Sequence, residues 1–235
     1  MSVTVIFLHG FTHTGRSWEP AVSALGERYR ALTPDIRGHG AASDSEPVNL
    51  EAVIGDVEAL MPGAFTLVGY SMGGRIALHI ALALPDRVRR LILVGASPGI
   101  ADPAERRVRR WADERLAAEI ERSTIEEFAR RWASNPVLAG QPTWIGEDRL
   151  RNTPAGLARA LRGLGTGALA PLWGRIGELR MPVALVVGER DRKFRAIAEE
   201  MAAALTNPEL TVVPGAGHAV HVEDPAAVAS VVPAQ

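Results

Sequence analysis

The sequence predicts an α/β protein, a mostly parallel sheet flanked by helices, with a helical insertion between two of its strands. Three observations carry this. Short β-branched apolar runs alternate with helical apolar patterns, which is how strands buried on both faces read. Gly69-Tyr70-Ser71-Met72-Gly73 stands between one such run and an alanine- and leucine-rich helical stretch. Residues 100–177 interrupt the alternation with helical patterns and no strand. If they join two parallel strands, they form a crossover far longer than the usual connection.

Taken in order, Val3–Leu8 is an apolar run ending at His9-Gly10 and reads as a buried strand. Residues 18–29 carry helical apolar spacing, and residues 29–33 read as the next strand, leaving through Pro34-Asp35. The paired glycines of Arg37-Gly-His-Gly40 punctuate any regular element, so this is a loop. Leu50–Leu60 reads as a helix and residues 65–68 as a strand. The helix after Ser71 runs to about Leu84, where Pro85-Asp86 ends it, and Val88–Val94 is another strand. In the insertion, residues 104–122, Ile125–Ala133 and Pro154–Leu164 are helical. Residues 183–187 and 210–213 are the last two strands, Gly215-Ala-Gly217-His218 is a turn, and residues 226–232 close the chain as a helix. The expected organisation is a core from residues 1–99 and 178–235, with residues 100–177 as a helical cap.

A chain of 235 residues can bury one sizeable core, and 47% hydrophobic with 23% charged residues is ordinary for a globular protein. A formal net charge of -1 gives no reason to expect nucleic acid or a membrane surface as partner. With no cysteine, disulfides, thiol nucleophiles and thiolate metal sites are excluded. The start of the chain lacks a signal-peptide pattern, and no apolar run approaches the ~18 residues of a membrane span, so a cytoplasmic location is expected. Arginine crowds residues 106–162, whereas Lys193 is the one lysine in the chain.

The Gly-x-Ser-x-Gly motif points to chemistry because of its context. The glycines let the chain reverse tightly after a strand, lifting the Ser71 hydroxyl above the sheet and turning the next amides toward a reacting oxygen. The N–H groups of Phe11, at the end of the first strand, and of Met72 are the expected oxyanion donors; the His9 ring is expected only to orient its loop. Of six histidines, His218 is the expected base, because it follows the last strand in a glycine-rich turn and completes the chain order Ser, acid, His. His221 is the alternative. His79 reads as a packing or surface residue, and His13 and His39 as loop residues that could line a pocket. Asp191, just after the strand at residues 183–187, is the expected acid, which would hold the His218 tautomer and stabilise its imidazolium. Glu189 is the alternative, while Asp86, Asp102, Asp113 and Asp148 read as helix caps or surface charges.

Gly69-Tyr-Ser-Met-Gly-Gly-Arg75, Gly188-Glu-Arg-Asp-Arg-Lys-Phe-Arg195 and Gly215-Ala-Gly-His218 resemble the menaquinone-pathway α/β-hydrolase-fold lyases, the 2-succinyl-6-hydroxy-2,4-cyclohexadiene-1-carboxylate synthases. The elbow and the histidine turn are general to the α/β-hydrolase superfamily; the Arg75 and Lys193-Phe194 strings are the more specific. The resemblance runs from about Val5 to Pro225. It implies elimination of pyruvate from 2-succinyl-5-enolpyruvyl-6-hydroxy-3-cyclohexene-1-carboxylate, with no cofactor or metal, and the triad acting as a general base. It also implies that Arg75, Arg109 and Arg151 bind the carboxylates of this small polycarboxylate substrate, since arginine forks match two oxygens at once. Trp132 would be an aromatic wall and Tyr70 a neighbour of the reacting centre. Arg106, Arg107, Arg110 and Arg149 read as solvated helix-face charges. Leu138 departs from the larger aromatic side chain of some relatives. A monomer or homodimer is expected.

Fold and triad host many reactions, so two other readings stay open: a carboxylesterase or C–C-bond hydrolase with Ser71 as nucleophile, and a non-catalytic ligand-binding protein. Retention of serine, acid and histidine together weighs against the last.

Overall fold

The computed structural model describes residues 3–233. Six strands form one parallel sheet in the order β2-β1-β3-β4-β5-β6: β1 (Val3–Leu8), β2 (Tyr29–Leu32), β3 (Phe65–Tyr70), β4 (Val88–Val94), β5 (Val183–Gly188) and β6 (Glu209–Val213). Between them run α1 (Glu19–Leu25), α2 (Leu50–Leu60) and α3 (Met72–Ala83). The segment between β4 and β5 supplies α4 (Pro103–Glu121), α5 (Ile125–Ala133), α6 (Trp144–Arg149) and α7 (Pro154–Leu164), and α8 (Arg192–Ala204), α9 (Val220–Glu223) and α10 (Pro225–Ser230) follow. No helix among the described residues is long and apolar enough to cross a membrane.

Alternation along the strands explains the layers. In β1, Ile6 and Leu8 join a core formed with Val53 and Val57 of α2, Ile76 and Ile80 of α3 and Met201 of α8. Val5 and Phe7 point to the other face, where Trp18, Ala21 and Leu25 meet Val220 and Val228. Successive side chains leave opposite faces of a strand, so a strand covered on both sides must be apolar throughout. A third cluster, Ala117, Ile120, Phe128, Leu157, Ala158 and Leu161, lies within α4, α5 and α7.

Local chemistry sets most helix starts. Asn49 caps α2 through Ala52 N, Asp102 caps α4 ahead of Pro103, and Thr124 with Glu127 forms a capping box on α5. Three elements differ from the sequence reading. The helical pattern over residues 18–29 resolves into a single 3-10 turn, Gly15–Trp18, and the shorter α1. The strand expected over residues 65–68 continues through Gly69 to Tyr70. Helix α8 was not anticipated, although Phe194, Ile197, Ala198 and Met201 carry the i, i+3, i+4, i+7 spacing of a buried stripe. The six-residue α6 is too short for periodicity to reveal.

Candidate active site

The strand ends place the chemistry. Ser71 follows β3 with φ 51 and ψ -108, a left-handed conformation uncommon for a side-chain-bearing residue. Its N–H donates to Val94 O at 2.9 Å, which pins the bend to β4. The flanking glycines are required sterically: a Cβ on Gly69 would sit 2.5 Å from Gly73 O, and one on Gly73 2.2 Å from Leu8 O. Thus β1 and α3 approach too closely for any side chain at Gly73.

From opposite ends of the chain, three side chains meet. The Ser71 hydroxyl lies 3.1 Å from His218 Nε2, and His218 Nδ1 lies 2.6 Å from Asp191 Oδ2. With Nδ1–H donating to the carboxylate, Nε2 is left to accept from the serine hydroxyl. Asp191 is doubly engaged, since its Oδ1 accepts from Phe194 N as the cap of α8. Its competitor Glu189 is exposed and accepts instead from Gly215 N at 2.9 Å. His221, the alternative base, is buried against Tyr70 (ring centroids 4.1 Å apart), with Trp18 at 4.7 Å and His13 at 5.4 Å. Neither of its nitrogens has a hydrogen-bond partner among the described residues. Burial first, then the nearby His218, drives its pKa well below the usual 6.5.

The His218 turn is held by a residue that sequence reasoning passed over. The Glu223 carboxylate accepts from Gly217 N at 2.8 Å and Ala219 N at 3.2 Å, bracketing the histidine, and pairs with Arg190 at 3.1 Å. Phe194 lies against the His218 ring on one side, at 4.4 Å, and Tyr70 is at 5.2 Å.

The amides of Phe11 and Met72 donate to no acceptor among the described residues, and Met72 N heads helix α3, where the dipole favours negative charge. His9 accepts from Ile36 N at Nε2 (2.9 Å) and faces Gly10 O with Nδ1 (2.9 Å), so its ring ties the loop carrying Phe11 to the next strand's exit. His39 is buried edge-on to His9 and Phe11, and burial brings its pKa down to about 3. His13 is buried against Tyr70 and His221, and His79 is half-buried on α3.

Among the arginines, Arg75 is 7% exposed, with Nε unpartnered and one long bond, 3.4 Å, to Leu164 O. Burial and the neighbouring Arg109 lower its pKa to about 10. Arg109 pairs with Asp113 at 2.7 Å, and both arginines line a cavity of about 700 Å³ that also includes Lys193, Phe194 and Trp173. Trp132 stands edge-on to the Phe11 ring, centroids 5.4 Å apart. Arg151 is different: its side chain is exposed. Arg149, read from the sequence as solvated, is instead 4% exposed and bonded to Gln141, and its cation opposes the strong upward push that burial gives the Tyr70 pKa. Helix α6 ends there, and Arg149 falls on the inward side of the turn that exposes Arg151. Asp113 and Asp148 are likewise buried rather than on the surface. Asp113 accepts from Gly167 N, and Asp148 accepts from Thr14 N at 2.9 Å and the Thr14 hydroxyl at 2.5 Å, tying α6 to the loop after β1. No cluster of potential metal ligands occurs among the described residues.

A profile of the alpha/beta hydrolase family matches residues 5–231. A Bacillus subtilis (strain 168) protein bearing the name 2-succinyl-6-hydroxy-2,4-cyclohexadiene-1-carboxylate synthase is 37% identical, over 95% of this chain and 86% of that protein. The synthase of the same name from Klebsiella pneumoniae is 32% identical over 95% of this chain and 90% of its own. The solved structure of MenH from S. aureus superposes with a TM-score of 0.92 at 32% identity, covering 98% of this chain and 91% of that one. The serine elbow and the likeness to these relatives agree: the chain belongs to the alpha/beta hydrolase family, and within it to the 2-succinyl-6-hydroxy-2,4-cyclohexadiene-1-carboxylate synthases.

Proposed function

We propose that this protein eliminates pyruvate from 2-succinyl-5-enolpyruvyl-6-hydroxy-3-cyclohexene-1-carboxylate, giving 2-succinyl-6-hydroxy-2,4-cyclohexadiene-1-carboxylate in menaquinone biosynthesis. The observation that carries this reading is the buried, incompletely bonded Arg75 beside Arg109 in a cavity next to the Ser71–His218–Asp191 chain. An uncharged ester would leave the Arg75 guanidinium uncompensated, whereas a substrate with three carboxylates can match it.

In this mechanism His218 Nε2 draws the proton from Ser71, and the serine oxygen takes the ring proton beside the succinyl ketone. The C–H electrons enter the ketone as an enolate, whose oxygen is held by the Phe11 and Met72 amides. Collapse of the enolate shifts the ring double bonds and breaks the C–O bond to the enolpyruvyl group, which leaves and takes up a proton as pyruvate. Asp191 fixes the tautomer and stabilises the transient imidazolium. The helices between β4 and β5 act as a cap, with Trp132 covering Phe11. Arg149, buried and bonded to Gln141, joins Arg151 as a candidate for a second carboxylate contact.

Coupling pyruvate release to lactate dehydrogenase tests the proposal: the purified protein should accelerate NADH loss, and Ser71→Ala should abolish it. An esterase reading draws on the same serine geometry. It requires burst release from a p-nitrophenyl ester with an acyl-enzyme of matching mass, and such a burst without pyruvate formation would replace the lyase assignment.

A further inference from the structure

We infer that Lys193 is a specificity-determining residue, which with Arg75 and Arg109 holds the terminal carboxylate of an aliphatic arm in the cavity beside Phe194. The inference rests on the polycarboxylate reading above and extends it to the first turn of α8. The cavity, about 700 Å³, is lined by all three cations. Its cations are matched in number by the carboxylates Asp102, Glu105 and Glu200, but the buried one, Arg75, is not paired among the described residues. Arg75 has no ion pair among the described residues and keeps an unpartnered Nε although 93% buried. Arg109 commits Nε to Asp113, leaving its terminal nitrogens free to donate. Lys193, the chain's one lysine, also lacks an ion pair among the described residues. Of the carboxylates at the cavity, Asp102 caps α4, and Glu105 and Glu200 are exposed where solvent screens them.

One aromatic ring, Phe194, touches both Lys193 and the reacting centre. Phe194 has His218 at 4.4 Å and the Lys193 ammonium at 5.7 Å from its ring centroid. A carboxylate at Lys193 therefore lies within about 10 Å of the imidazole, the reach of a short aliphatic arm. Trp173 and Ile197 supply apolar surface for its methylenes, and Trp173 is fixed by donating to Gly99 O at 2.9 Å. Because Lys193 follows Asp191 by two residues, the turn that caps α8 and presents the acid also aims this cation.

Succinate is a fitting probe, with succinamide as its uncharged counterpart. By calorimetry, wild-type protein should bind succinate and not succinamide; Lys193→Met should weaken succinate at least tenfold, and Lys193→Arg should restore most of it. In the pyruvate assay, Lys193→Met should raise KM about tenfold with kcat within threefold, since the residue binds the arm without touching the reacting atoms. Failure to bind succinate, or equal binding by wild type and Lys193→Met, overturns the inference whatever the turnover. Binding that depends on Lys193 in a protein releasing no pyruvate sustains the inference and removes the lyase reading. Lys193 is exposed, so its substitution leaves the fold intact; an unchanged melting temperature verifies this.

Discussion

Replacing His221 by Phe should leave stability near neutral pH unchanged or raised, and should flatten its loss in acid. His221 is fully buried, both ring nitrogens lack partners among the described residues, and Trp18, His13 and Tyr70 pack on the ring, with His218 and His9 nearby to disfavour a charge on it. Phe keeps the stacking and forfeits no hydrogen bond. In the unfolded chain the imidazole titrates with its usual pKa of 6.5, whereas in the folded protein burial holds it neutral far below that. A lowered pKa means the unfolded state binds the extra proton. The stability is therefore fully present above pH 6.5 and is lost as pH falls from 6.5 toward the depressed folded value. Between pH 7.5 and pH 5 this costs RT ln[(1 + 10^1.5)/(1 + 10^-1)], about 2 kcal/mol, for a group that stays neutral when folded. With a urea slope of about 3 kcal/mol/M, wild type should lose roughly 0.7 M more of its unfolding midpoint than His221→Phe over this range. Parallel midpoint-versus-pH curves would refute the reasoning, because they would mean that the ring is protonated or hydrated in the native state.

Arg75→Ala should cut turnover by about 10- to 150-fold in the pyruvate assay, the equivalent of one charge-assisted hydrogen bond of ~1.5–3 kcal/mol; unchanged kinetics would remove Arg75 from the site. Gly73→Ala should lower stability by about 1–3 kcal/mol in urea titration and depress activity, because its Cβ meets the Leu8 and His9 carbonyls at 2.2 and 2.5 Å just before the loop that carries Phe11. Glu223→Ala leaves the Gly217 and Ala219 amides unpartnered, at about 1–3 kcal/mol each. It should reduce kcat while sparing KM, since it moves His218 and not the cations. Loss of the Arg190 pair adds little, as Arg190 is largely exposed.

What the chain announces by itself is whatever depends on local chemistry. Leu50–Leu60, Val88–Val94, Ile125–Ala133 and Pro154–Leu164 lie where periodicity and caps put them, because apolar period and hydrogen-bonding side chains are written within a few residues. The Ser71 bend was legible for the same reason, its glycines being demanded by contacts within one strand–turn–helix unit. The pairing of Ser71 with Asp191 and His218 could be anticipated from order along the chain, but its 3.1 and 2.6 Å separations are set by β3, β5 and the turn after β6 lying in one parallel sheet. Burial of individual charges was not legible. Arg149 and Arg151 are two residues apart in similar sequence, and only the docking of α6 against the loop after β1 turns one inward and leaves the other in solvent. Asp113, Asp148 and Glu223 likewise serve backbone amides that distant segments bring to them. A side chain's chemistry is fixed by its residue type, whereas its desolvation and its partners belong to the tertiary packing.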